Sequence, residues 1–443
     1  VNRRSRRASA FAAMAALVVI TPTLGDAAVV PFLALAGLFL FGIRDGEWFE
    51  TLALPGDREA ERLYGIGSFA LALAGLAAFA TWPRVPLPFG AFAAAALVVG
   101  GGRPGRAAFE RRFDGEFELV GGYLVGAGLA AVAGQTAVAL IAGDIAPGAV
   151  VEALPVFTFL GAVAALTAAL VRSLVYARDA HLTVVIVAFV VWGFTTLEPT
   201  VSALGIAVGL AVTVGLGYVS YALGAASVPG MLTGVLLALL TVVLGGPGWF
   251  LVLIAFYSIG ALASKYRFDE KADRGVAQEN EGARGTGNVL ANSAVALLAL
   301  LGYAATDHVD VPAIVFALAF AGAFATALAD TLSSEIGGLF DDPRLITTLR
   351  RVEPGTDGAV TWQGELAGLS GAVLVGTIAG VAMPVGDPLV GGVIVAAAGV
   401  GGMTVDSLLG AVIEGGRIGN QTVNFLATVS GAAIAVAAGV TLA

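Results

Sequence analysis

Apolar stretches of membrane-spanning length recur from one end of this chain to the other, and that repetition limits what it can fold into. A bilayer core about 30 Å thick takes roughly 20 apolar residues as helix, and backbone crossing it must satisfy its own hydrogen bonds. The mean hydropathy of +0.90 and the 58% hydrophobic content lie far above those of a soluble globular protein. A soluble domain would show polar faces at helix or strand period, and these segments mostly lack them. The expected fold class is all-α, a polytopic helical membrane protein. The 61 glycines suit close helix packing in lipid, where small residues let backbones approach.

About fifteen spans are expected. They lie near 8–25, 27–43, 64–82, 85–101, 119–142, 154–176, 182–198, 200–220, 228–245, 248–264, 288–305, 311–330, 366–383, 388–413 and 423–442. With the Arg3–Arg7 cluster taken as cytoplasmic, alternation puts all 23 lysines and arginines except Arg84 on that side. The N-terminus is therefore expected in the cytoplasm, in the cell membrane, with basic loops facing in. The N-terminal segment is expected to be an uncleaved first span, because its apolar stretch continues to Leu24 without a clear cleavage site. The chain changes character near residue 200. Residues 1–201 are expected to form an N-terminal membrane domain of about seven spans, and 202–443 a second domain of about eight. The second gathers polar residues at the expected cytoplasmic helix ends.

No cysteine is present, which excludes disulfides, thiolate metal sites and cysteine nucleophiles. His181 and His308 are the only imidazoles. Acid–base or metal chemistry must rest on carboxylates, and anion binding on lysine and arginine. Nucleic-acid binding is not expected, because the net charge is −9 and the basic residues are spread over many loops. The "GARGTG" stretch lacks the ending of a phosphate-binding Walker loop.

Four polar clusters fall on the expected cytoplasmic side. Residues 264–284 carry ten charges, including Lys265 and Lys271, the only lysines, and Arg284. That loop enters the next span through Asn288 and Asn292, one turn apart on a shared face. The second cluster is "ALADTLSSEIGG", where Asp330 and Glu335 end a span with Ser333 and Ser334 between them. Five residues amount to about 140° of helix rotation, so these two carboxylates share a site only where the helix breaks. An acidic pair with hydroxyls is what Mg²⁺ asks for. The third is "DDPRLITTLRRVEPGTDGAVT", with Arg344 and a tight Pro/Gly turn. The fourth holds Asp406 inside an apolar span, Glu414 eight residues on near the same face, and Asn420 and Asn424 one turn apart. An ionised Asp406 there is costly unless paired, solvated or metal-bound.

Taken in order, "ARGTGNVLANS", "ADTLSSEIG", "PRLITTLRRVEPGTDGAVT", "VDSLLGA" and "NQTVNF" resemble a membrane family catalogued as domain of unknown function ninety-two. That family includes an animal transmembrane protein and the plant phytyl-phosphate kinase. The resemblance covers about 202–443 and leaves out the first 200 residues. It departs at Leu332, where the family often has Trp, at Asn288, often Gln, and at Ser293, often Gly. More distantly the family is similar to CTP-using dolichol and phytol kinases. The resemblance implies phosphoryl transfer from CTP or a similar nucleotide to an isoprenoid monophosphate. In that reading Asp330, Glu335 and Asp406 hold Mg²⁺. Lys265, Lys271, Arg284 and Arg344 neutralise phosphates, and Asn288, Asn292, Asn420 and Asn424 orient them. The expected partners are the bilayer, an isoprenoid phosphate and a nucleotide. The alternative is a membrane transporter or lipid flippase, since an intramembrane aspartate also suits a substrate path.

Overall fold

A computed structural model of the chain describes residues 3–175, 179–277, 285–414 and 418–442. It divides into two compact units, Val1–Ala207 and Val208–Ala443. Among the described residues nearly all regular structure is helical, apart from one two-stranded ribbon. The protein is an all-α polytopic membrane protein. Among the described residues, 11 helical runs are long and apolar enough to cross a bilayer.

The first unit contains α1 (Arg3–Ala16), α2 (Thr21–Leu24), α3 (Val29–Gly37), α4 (Gly46–Leu52), α5 (Pro55–Glu59), α6 (Tyr64–Ala80), α7 (Phe89–Phe109), α8 (Glu116–Ala142), α9 (Val150–Leu174) and α10 (Ala180–Thr196). The first two expected spans form one run, Ser5–Gly42, interrupted near Gly25, where φ is +51°. Helices α6 and α10 have 17 residues each, about 26 Å of rise, somewhat short of a full bilayer core. Helix α7 carries Arg103 and Arg106 within its length, which keeps it out of the set of 11.

The closest pairing in this unit is α7 with α8. Gly101 and Gly105 face Gly122 and Gly126, a reciprocal small-residue crossing. A Cβ on Gly126 would lie 2.8 Å from the Cα of Gly105, and one on Gly105 would lie 2.9 Å from the Cα of Gly126. Neither backbone can yield without separating the helices.

The second unit contains α11 (Ala203–Ala222, which crosses the division), α12 (Val228–Leu240), α13 (Pro247–Lys265), α14 (Phe268–Asp273), α15 (Thr286–Ala304) and α16 (Ala313–Gly337). After them come β1 (Arg344–Leu345), β2 (Ala359–Val360), α17 (Trp362–Ala382), α18 (Pro388–Ile413) and α19 (Asn420–Leu442). Helix α16 is the axis of this unit and packs against α13, α15, α17, α18 and α19. Its buried face is built from alanines with Phe320 and Phe324. The Phe320 ring lies 4.6 Å from Trp249, and Phe324 lies 5.5 Å from Phe256.

Polar caps start the helices that matter most. Asp387 accepts from the amides of Leu389 and Val390 at 3.0 Å to open α18, with Pro388 following. The Thr361 hydroxyl accepts from Gly364 N at 3.2 Å to open α17. Helices α16, α17 and α18 then cross closely: a Cβ on Gly399 would lie 2.9 Å from the β-carbons of both Ala325 and Ala372. Ala329, Ala372 and Met403 form a fully buried apolar layer with Val400 packed against it.

The α7–α8 crossing predicts that Gly126→Ala lowers the stability of the first unit by about 1–3 kcal/mol, the usual cost of overpacking. Thermal unfolding in detergent should show that loss, whereas Ala at Gly121, with open space around it, should cost far less.

Candidate functional site

Above the apolar layer of Ala329, Ala372 and Met403 the same helices turn polar. Asp330 follows Ala329 on α16, and Asp406 lies one turn beyond Met403 on α18. The two carboxyl groups face each other across the crossing, near enough to act on one another, and line one cavity. Both are half-buried, and Oδ1 of Asp406 is buried without a hydrogen-bond partner among the described residues. Two carboxyl groups at this separation repel unless positive charge, a proton or a cation, lies between them.

They open onto a cavity of about 370 Å³ walled by the last turns of α16 and α18, the first residue of α19, residues 275–277 and the loop before α17. Four carboxylates line it: Asp330, Asp357, Asp406 and Glu414. Hydroxyls of Ser333, Ser334, Ser407, Thr356 and Thr361 complete most of the polar surface. No lysine or arginine lines it among the described residues. Glu414 caps α18 outside the apolar span, and burial pushes its carboxyl above the usual glutamate range, with further push from Asp357 and Asp406.

The loop wall depends on backbone freedom at one position. Antiparallel β1 and β2 pair Arg344 with Val360 and Leu345 with Ala359, and Pro354–Gly358 folds back over α18. Gly358 has φ +73°, and a Cβ there would meet the backbone of Ser407 and Ala411. Only glycine fits, for both reasons. Gly410 reciprocates, since its Cβ would lie 3.0 Å from the amide N of Gly358. This contact sets Thr356 and Asp357 against the helix face that carries Asp406 and Glu414.

The remaining expected site residues are placed differently. Helix α16 continues unbroken to Gly337, so Glu335 faces away from Asp330. It pairs with Lys271 at 2.5 Å, and the two side chains are 3% and 1% exposed. The Lys271 ammonium also donates to the carbonyls of Ala263 at 2.9 Å and Ser264 at 2.7 Å, which uses all three of its hydrogens. This pair ties α14 and the end of α13 to α16; it does not line the cavity. Lys265 donates to the Leu223 carbonyl and lies at a second, apolar cavity of about 290 Å³ between α11, α12 and α13. Arg344 is exposed, and its guanidinium donates to Leu349 O at 2.8 Å across the ribbon turn. Asn292 is buried and donates to the Asn288 carbonyl at 2.9 Å along its own helix. Asn420 lines the polar cavity, whereas Asn424 is buried one turn deeper. Arg284 lies outside the described residues.

The fit to a divalent cation follows from this geometry. Among the described residues no three carboxylate or imidazole side chains close into a metal cage. The expected set of Asp330, Glu335 and Asp406 is therefore reduced to Asp330 and Asp406, because Glu335 is committed to Lys271. Mg²⁺ commonly uses only one or two carboxylates, with water and substrate phosphates completing its shell. Hard oxygen donors in contact, one atom of which lacks a partner, suit that mode. Glu414 and Asp357, which share the cavity, were not among the expected site residues; the eight-residue offset of Glu414 from Asp406 was the signal that pointed to it.

The chain belongs to the family described as integral membrane protein DUF92, whose model matches residues 211–440. An uncharacterized membrane protein of Methanocaldococcus jannaschii is 34% identical over 198 residues, 42% of this chain and 75% of that protein. One from Synechocystis is 31% identical over 195 residues, 43% of this chain and 74% of that protein. The chloroplastic protein VTE6 of Arabidopsis thaliana is 33% identical over 150 residues, 32% of this chain and 43% of that protein. No solved structure matches the chain.

Two outcomes test the site. Lys271→Met should destabilise by about 3–5 kcal/mol by stranding a buried glutamate, and adding Glu335→Leu should recover most of that loss. Denaturant unfolding of both variants distinguishes this structural role from phosphate binding. For Glu414 the folded carboxyl titrates above its usual 4.5, so its ionisation opposes folding as pH rises past that value. Glu414→Gln should therefore raise the melting temperature at neutral pH in chelator, with little effect at pH 4. Divalent cation should narrow the gap.

Proposed function

We propose that the chain is a membrane-embedded phosphotransferase that moves the terminal phosphoryl group of a nucleotide onto an isoprenoid monophosphate. The observation that carries this reading is the approach of Asp330 and Asp406 in an acidic, hydroxyl-rich cavity over a buried apolar layer. The similarity to VTE6 and the resemblance to the family that includes the plant phytyl-phosphate kinase supply the substrate class. CTP as donor and the cytoplasmic side as the side of entry belong to the same proposal.

An acidic cavity repels phosphate unless cations intervene. Asp330 and Asp406 would hold Mg²⁺, with Glu414 and Asp357 acting through water. When bound it would neutralise charge on the phosphate oxygens and on the leaving group. The chain's own residues position the reactants. Serine, threonine and Asn420 side chains donate to phosphate oxygens, and Gly355–Gly358 supplies a backbone wall. The Ala329–Ala372–Met403 layer limits water below the carboxyls. In the transfer an oxygen of the acceptor phosphate bonds to the γ-phosphorus as the bond to the β–γ bridging oxygen breaks, releasing the nucleoside diphosphate. The acceptor is already an anion at neutral pH, so no strong base is required. The apolar cavity beside Lys265 is of a kind that suits a hydrocarbon chain.

The test is transfer of labelled γ-phosphate from CTP to phytyl or geranylgeranyl monophosphate by purified protein with Mg²⁺. Diphosphate is expected, with at least a hundredfold loss in Asp406→Asn while the variant stays folded. No product from folded wild-type protein across several nucleotides and prenyl phosphates would overturn the reading in favour of transport.

A further inference from the structure

The apolar cavity beside Lys265 is elongated along the helices that form it. On α13 its wall runs from Lys265 inward to Leu253, twelve residues and about 18 Å of helix rise. That is a little over half of a bilayer core about 30 Å thick. The other walls are α11, from Leu223 in to Leu216, and α12, from Gly230 in to Val235. The cavity of about 290 Å³ is therefore a narrow slot, with Lys265 and the Leu223 carbonyl meeting at one end and aliphatic side chains beyond them.

The Lys265 end of the slot lies at the same end of the second unit as the acidic cavity. The Lys271 ammonium donates to the carbonyl of Ser264, the neighbour of Lys265, at 2.7 Å. It also meets Glu335, the neighbour of Ser334 in the acidic cavity. The first turn of α15 makes a second link. Val289 lines the slot, while a Cβ on Gly287 would lie 2.7 Å from the side chain of Gln421, which follows Asn420 of the acidic cavity. Among the described residues the one hydrogen-bond partner of Lys265 is the neutral Leu223 carbonyl, which takes one of three ammonium hydrogens. A positive charge at one end and apolar walls beyond it complement an amphiphile with an anionic head and one long tail.

We propose that this slot holds the hydrocarbon tail of the lipid acceptor, with its phosphate at the Lys265 end, and that Gly234 sets how long a tail can enter. Gly234 lines the slot, and a Cβ there would meet nothing within 4 Å. A larger side chain would fill the slot without pressing on a neighbouring helix. Leucine is also a better helix former than glycine, so the substitution should not cost the fold. The identity of the occupant as the acceptor rests on the phosphotransferase reading; the slot itself rests on its lining and on Lys265.

The experiment measures retention of phytyl monophosphate by the full chain in detergent, with chelator and without nucleotide, by native mass spectrometry. Wild-type protein should retain it, and Gly234→Leu should weaken retention at least about tenfold, as misfit of even one methylene in an apolar pocket does. Gly215→Leu, at an exposed position of α11 with open space around it, should match wild type. Lys265→Met should lower retention of phytyl monophosphate but not of phytol. No retention by wild type, or equal retention in wild type and Gly234→Leu, overturns the slot whatever the transfer assay gives. Gly234-sensitive retention without phosphoryl transfer upholds the slot as a lipid site and overturns the reaction alone. Stronger Gly234-sensitive retention of dioleoyl phosphatidate than of phytyl monophosphate overturns the acceptor assignment in favour of a bilayer lipid. Should Gly234→Leu fail to fold, Ser258→Trp, at an exposed position of the slot wall, decides by the same comparison.

Discussion

The contact between Asp330 and Asp406 is the constraint around which the second unit is arranged. Two acids brought together inside a helical bundle oppose its assembly, and only packing below and positive charge above can offset them. The packing is visible in the crossing of α16, α17 and α18, where Gly399 and Gly402 admit Ala325, Ala372 and Thr326. Larger residues there would widen the crossing and separate the carboxyls. Small residues in these helices therefore set the chemistry as well as the packing.

The polar wall above depends on two further devices. The buried Lys271–Glu335 pair holds α14 against α16, which places residues 275–277 at the cavity edge. The Gly358–Gly410 approach lays the Pro354–Gly358 loop on α18. One device is electrostatic and the other steric. Their joint result is a cavity whose ionisable lining is acidic, so that anion binding there calls for bridging cations.

Much of the candidate site was legible in sequence because a charge inside an apolar run is itself a signal. Asp406 was found that way, Asp330 as an acid ending a span beside Glu335, and both line the cavity. Glu335 stood at the same span end and Lys271 in the charged loop, yet each is the other's partner, 64 residues apart. Arg344 stood in a distinctive motif, yet its guanidinium serves the ribbon turn. Asp357 was hidden inside a turn sequence, where acids are common for local backbone reasons. Charge type and helical offset can be read along a chain; the identity of a partner across the bundle cannot.

Composition and the spacing of apolar runs determined by themselves that this chain is a bundle of membrane helices, since lipid leaves unpaired backbone no other refuge. They also determined that any chemistry rests on carboxylates, because cysteine is absent and histidine nearly so. Only the tertiary structure decided which acids meet. Helical rotation turned Glu335 towards Lys271, glycine crossings brought Asp330 to Asp406, and the Gly358 contact set Asp357 over Glu414. Each of these depends on distances between segments far apart in sequence, which local pattern does not encode.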